Sequence, residues 1–149
     1  MPDQLPLTPR QRQDLRTVAA MIIPASEEYR VPGADDDAIQ VDMLATLGRD
    51  AKLVGEALDH LARLAGMPLA DLDPAARDGV IKEFRETGGA AAATLVRVVL
   101  QCYYRDERVL RSLGLEARAP FPKGHVLQDG DWSLLDPVKA RARTMRQVS

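Results

Sequence analysis

Apolar residues recur at helical spacing through most of this chain, and alternation of useful length for a strand is absent. Leu15, Val18, Ala19 and Ile22 form the first stripe. Thr8 is placed to cap that helix, Pro9 suits its first position, and Gln11 completes a capping-box spacing before Pro24 ends the run. Ile39, Met43, Leu44 and Leu47 define a second helix, which one of Asp35, Asp36 and Asp37 caps and Gly48 stops. Leu53, Ala57, Leu61 and Leu64, flanked by Val54, Leu58 and Ala65, define a third that closes at Gly66 and Pro68. Asp73 and Pro74 open a fourth, with Ala76, Val80, Ile81 and Phe84 inward and Gly88-Gly89 at its end. The fifth, about Ala90 to Tyr104, is apolar nearly all round, the pattern of a helix at the centre of a bundle. A short sixth, DERVLRSLG, ends at Gly114.

The pattern then breaks. Residues 117–136 carry prolines on both sides of Phe121, glycines at 124 and 130, and the lone Trp132, and they predict an irregular strap. A short basic helix over about 137–146, capped by Asp136 with Pro137 at its start, ends the pattern. The expected fold class is all-α, a single helical bundle of about six or seven helices with a long irregular C-terminal strap. All 149 residues fit one domain, long enough to bury a core without metal or disulfide support.

Composition narrows the function classes. Aromatics are 4% of the chain, so the core is mostly Leu, Val, Ile and Ala. A net charge of −2 gives no general attraction to nucleic acid, and the single Cys102 excludes an internal disulfide. The most apolar window, 88–104, is short for a membrane span and has Arg97 in its middle, so no direct membrane insertion is expected. MPDQLPLTPRQRQDL has no apolar signal core, and Arg10 and Arg12 are not a twin-arginine pair. The chain as written is therefore expected in the cytoplasm; behind a removed leader it would belong in the periplasm.

No catalytic motif stands out. Glycine-rich phosphate loops, nucleophile elbows and paired-histidine metal motifs are all missing. His60 reads as a surface or boundary side chain, and nothing near His125 in sequence orients it as a base. Asp35, Asp36, Asp37 and Asp42 lack the alternating ligands and terminal glutamate of a calcium loop, so helix capping is their reading. Cys102 reads as a small core residue. Charge is uneven: residues 25–60 hold nine acids and three bases, whereas the tail from Pro137 holds Lys139, Arg141, Arg143 and Arg146 and no acid. Four bases without interleaved aromatics are little for a nucleic-acid site. Tyr, Trp and Arg dominate protein interfaces, which makes Tyr103, Tyr104, Arg105, Arg118, Phe121, Pro122 and Trp132 the candidates for a partner surface. On the residues alone, the plainer reading is that Phe121 and Trp132 fold back onto the bundle as a clasp.

Three collinear segments carry a resemblance. LTPRQRQDLRTVAAMIIPASEEYRVPGADD (7–36), YYRDERVLRSLGLEARAPFPKG (103–124) and DWSLLDPVKARARTMR (131–146) together resemble the gluconate 2-dehydrogenase subunit 3 family. The resemblance implies a non-catalytic small subunit, with no cofactor of its own, that stabilises or matures a large FAD-dependent dehydrogenase of the glucose-methanol-choline type. That partner would oxidise a sugar or alcohol, and a cytochrome c subunit often completes such a complex. Many members carry a twin-arginine leader, which this sequence does not show. Two alternatives come from the residues alone: a stand-alone enzyme using His125 or His60 with a carboxylate, and an anion or nucleic-acid binder acting through the basic tail.

Overall fold

A computed structural model describes residues 7–118, 121–124 and 129–141. Seven α-helices and three 3₁₀ turns make up its regular structure, and among the described residues the only β pairing is an isolated bridge between Ser26 and Val31. The all-α expectation holds. Contacts divide the chain into two units, Met1–Arg118 and Ala119–Ser149, described separately below.

The first unit contains α1 (Pro9–Ile22), α2 (Asp37–Thr46), α3 (Ala51–Ala65), α4 (Pro74–Thr87), α5 (Gly89–Tyr103) and α6 (Glu107–Ser112). The predicted starts are made by local hydrogen bonds. Thr8 Oγ1 accepts the Gln11 N–H at 3.2 Å, and Gln11 Oε1 accepts the Thr8 N–H at 2.9 Å, a complete capping box. Gln11 Nε2 then donates to Asp59 Oδ1 of α3 at 2.8 Å, so the same side chain that starts α1 also docks it. Asp36, of the three candidate aspartates, caps α2 through the Ala38 N–H at 3.0 Å. Asp73 caps α4 through Ala76 N–H at 3.0 Å. The corner between α4 and α5 needs both its glycines. A Cβ on Gly88 would stand 2.7 Å from the Phe84 carbonyl oxygen, and Gly89 has φ +52°.

The core is aliphatic. α3 contributes Val54, Ala57, Leu58 and Leu61, and packs most extensively against α5, which contributes Leu95, Val98, Val99 and Cys102. α1 adds Leu15, Val18 and Ala19, and α2 adds Ile39 and Met43. α5 packs against α1, α2, α3 and α4, yet it is not enclosed. Val96 and Leu100 on its outer side are 38% and 37% exposed, although its composition predicts burial all round. Among the described residues of the first unit, no helix covers that side of α5.

One buried polar contact joins distant parts of the unit. Asp14, 1% exposed, lies inside the core face of α1. Its Oδ1 accepts the N–H of Leu69, a fully buried residue in the 3₁₀ turn Leu69–Asp71, at 3.0 Å, and its Oδ2 lies 3.7 Å from Arg10 Nε. Arg77 holds the same connection from its other side, donating to the carbonyl oxygens of Leu69, Ala70 and Leu72 at 2.9–3.1 Å. The α3–α4 connection is thus fixed by one acid acting on an N–H and one base acting on three carbonyls.

The second unit has a 3₁₀ turn, Trp132–Leu135, running into α7, Asp136–Lys139. Helical structure starts earlier than the sequence pattern suggests. Asp131, not Asp136, is the cap, accepting the Ser133 N–H at 3.0 Å and the Ser133 hydroxyl at 2.6 Å. The expected basic helix stops at Lys139, with Ala140 in a turn and Arg141 in a bend, and 142–146 lie outside the described residues.

Asp14→Ala leaves the Leu69 N–H buried without an acceptor and should cost about 1–3 kcal/mol in urea unfolding. Asp14→Asn keeps a carbonyl acceptor and should cost less. Equal losses in the two variants would show that the carboxylate is not acting through that bond.

Candidate functional site

Three of the sequence candidates in the first unit, Tyr103, Tyr104 and Arg105, meet at the corner where α5 ends and α6 begins. Tyr103 and Tyr104 form an edge-to-face pair with ring centroids 5.2 Å apart at 88°. Tyr103 is buried in the core, so its ring is not part of the surface, and burial pushes its phenol above the ordinary value. Tyr104 is exposed and carries the aromatic surface of this corner.

Arg105, read from sequence as an interface residue, is engaged within the unit. Its Nε donates to Asp42 Oδ2 and its Nη2 to Thr46 Oγ1, both at 2.6 Å and both on α2. Its Nη2 also lies 3.4 Å from Cys102 Sγ. Burial raises the Cys102 thiol, more than Thr46 and Arg105 lower it, which disfavours the thiolate. A hollow of about 270 Å³ opens here, lined by Ile39, Asp42, Cys102, Arg105, Asp106 and Glu107.

Arg108 is the residue that sequence reading missed. Its guanidinium grips Asp36, with Nη2 2.7 Å from Oδ1 and Nη1 3.1 Å from Oδ2, and it also donates to Asp106 from Nε and Nη2 at 3.0 Å. Asp36 caps α2 and Asp106 caps α6, accepting the Arg108 N–H at 2.9 Å. One cation therefore bridges two capping carboxylates and holds both below their ordinary range. The two carboxylates in turn raise the guanidinium. Arg16 pairs with Asp37 as well, so three arginines, 16, 105 and 108, receive the acidic face of α2. The only local signal was the Asp-x-Arg spacing at 106–108; its pairing with Asp36, 72 residues away, left none.

His60 lies on α3. His60 Nε2 is 3.0 Å from Thr87 Oγ1, and its ring centroid is 5.8 Å from that of Phe84, an arrangement that fastens α3 to α4. His125 lies outside the described residues, as do Arg143 and Arg146 of the tail. Arg118 pairs with Glu116. In the second unit Phe121 is 86% and Trp132 71% exposed, with Leu134 and Val138 also exposed; Pro122 is exposed beside Phe121. Among the described residues no group of three or more His, Cys, Asp or Glu side chains is placed to hold a metal ion, and no helix is long and apolar enough to cross a membrane.

The depressed Asp36 and Asp106 fix the sign of an acid response. Both are ionised in the fold to lower pH than in the unfolded chain, so they stabilise the fold above the ordinary aspartate range, near pH 4, and that contribution is lost as pH falls through their folded values. Arg108→Gln should lower stability at pH 7 and flatten the loss between neutral pH and pH 3, measured by thermal unfolding. An acid limb as steep as that of the unaltered chain would place the proton uptake elsewhere. No family model matches this chain, and no match to it was found among curated proteins or solved structures.

Proposed function

We propose that this chain is a non-catalytic accessory subunit that binds and stabilises, or helps to mature, a large FAD-dependent sugar or alcohol dehydrogenase of the glucose-methanol-choline type. FAD would belong to the partner, and a cytochrome c subunit could complete the assembly. The observation that carries the reading is the strap: Phe121 and Trp132, with Leu134 and Val138, expose large apolar side chains on a short segment. Surfaces of this kind mark protein contacts. The resemblance of residues 7–36, 103–124 and 131–146 to the gluconate 2-dehydrogenase subunit 3 family supplies the identity of the partner. Tyr104 offers a second aromatic contact on the first unit. Tyr103 and Arg105 support it from within: one is part of the core beneath it, and the other holds α2 against the α5–α6 corner. The helical bundle then serves as a rigid scaffold.

Affinity capture of the tagged chain from its native host tests this. The expected eluate is yellow, with a flavin absorption spectrum and one large chain in near-equal amount. Trp132→Ala should weaken assembly by about tenfold or more, as truncating a buried interface tryptophan does, while the isolated variant keeps its helical circular dichroism. Trp132 is the only tryptophan, so its fluorescence should shift to the blue when the complex forms. A colourless chain eluting alone would overturn the proposal. Loss of helix content in Trp132→Ala would assign Trp132 to a clasp instead.

A further inference from the structure

The uncovered side of α5 forms one wall of an open groove of about 1010 Å³ between α1, α4 and α5. Ile22 of α1, Ile81 of α4, and Val96 and Leu100 of α5 give it an apolar lining. Two opposite charges stand along it on α4. Asp78 and Arg85 are seven residues apart, or about 10 Å along the helix, and Ile81 lies between them. Both side chains are exposed, and neither makes an ion pair or a side-chain hydrogen bond among the described residues. Arg97, the other cation of the groove, is already held by Asp50 at 2.8 Å. The unpaired charges are therefore one acid and one base, set on either side of an apolar midpoint.

We propose that a second copy of this chain covers the groove, with the two α4 helices antiparallel across a twofold axis near Ile81. In an isologous contact a patch must complement itself. This one does: with α4 antiparallel to its equivalent, Asp78 of each copy comes opposite Arg85 of the other, and Ile81 meets Ile81 at the axis. One acid and one base per chain then give two ion pairs per dimer, on an apolar surface that each copy removes from water for the other. The inference does not rest on the accessory-subunit reading, because it concerns only the first unit's own surface.

Sedimentation of the full chain at tens of micromolar tests it. The expected mass is twice the 16.3 kDa of one chain. Asp78→Arg and Arg85→Asp each create two like-charge contacts per dimer and should weaken self-association by roughly tenfold or more. The double variant D78R/R85D restores both pairs and should dimerise like the unaltered chain. Mixing the two single variants gives the sharpest result. One then carries two bases and the other two acids, so they should form a mixed dimer although each alone is weakened. Should a reversal lower helix content, Asp78→Asn and Arg85→Gln replace it, with a smaller weakening expected. A monomer throughout that range, single reversals that dimerise unchanged, or a double variant no better than the singles would each overturn the proposal. A monomer whose groove takes up an amphipathic helix from another protein would assign the surface to that partner.

Discussion

The packing of α5 against α3 is the constraint from which the first unit is built. With few aromatic side chains, the core gains its burial from branched and small aliphatic groups, which have to interdigitate closely. Small residues, Ala57 on α3 and Ala92 on α5, are among the buried ones. The other elements then take positions that these two helices define: α1 and α4 pack on both, α2 packs on α5, and α6 follows from the end of α5. The polar groups this arrangement buries are provided for. Asp14 meets Leu69, Gln40 donates to the Ala34 carbonyl at 2.9 Å, and no buried side-chain nitrogen or oxygen among the described residues lacks a partner.

Much of this was legible in the sequence because helix starts and stops are local events. Thr8, Asp73 and the Asp35–Asp37 run announced their helices because a cap needs only a side-chain oxygen two or three residues from an orphan N–H. Gly66 and the Gly88-Gly89 pair announced stops for the same reason. The site was less legible, because its contacts join residues far apart in the chain. Asp42 and Arg105 are 63 apart, Asp36 and Arg108 are 72 apart, and nothing in either local sequence selects the other. Tyr103 and Tyr104 were alike as neighbours in sequence, but successive helical positions point about 100° apart, so one ring entered the core and the other did not. The apolar perimeter of α5 misled in a related way. Composition measures how apolar a helix is, whereas coverage depends on how many helices are available to surround it.

The arrangement also separates two kinds of arginine. Several are engaged inside the chain: Arg77 on carbonyls, Arg97 on Asp50, and Arg16, Arg105 and Arg108 on α2. Composition alone would have counted all of them as available to a partner. The aromatic residues divide likewise, with Tyr103 part of the core and Tyr104, Phe121 and Trp132 on the surface. What the chain can offer another protein is thus smaller, and more apolar, than its count of interface-type residues implies.

Arg108 has a consequence beyond holding two elements together. Helices of ten and six residues, the lengths of α2 and α6, are too short to persist alone in water. Each depends on its N-terminal carboxylate, and both carboxylates share one guanidinium. Fraying of either start releases part of the charge that steadies the other. The two helix starts are thereby coupled through one side chain, although sixty residues of chain separate the helices.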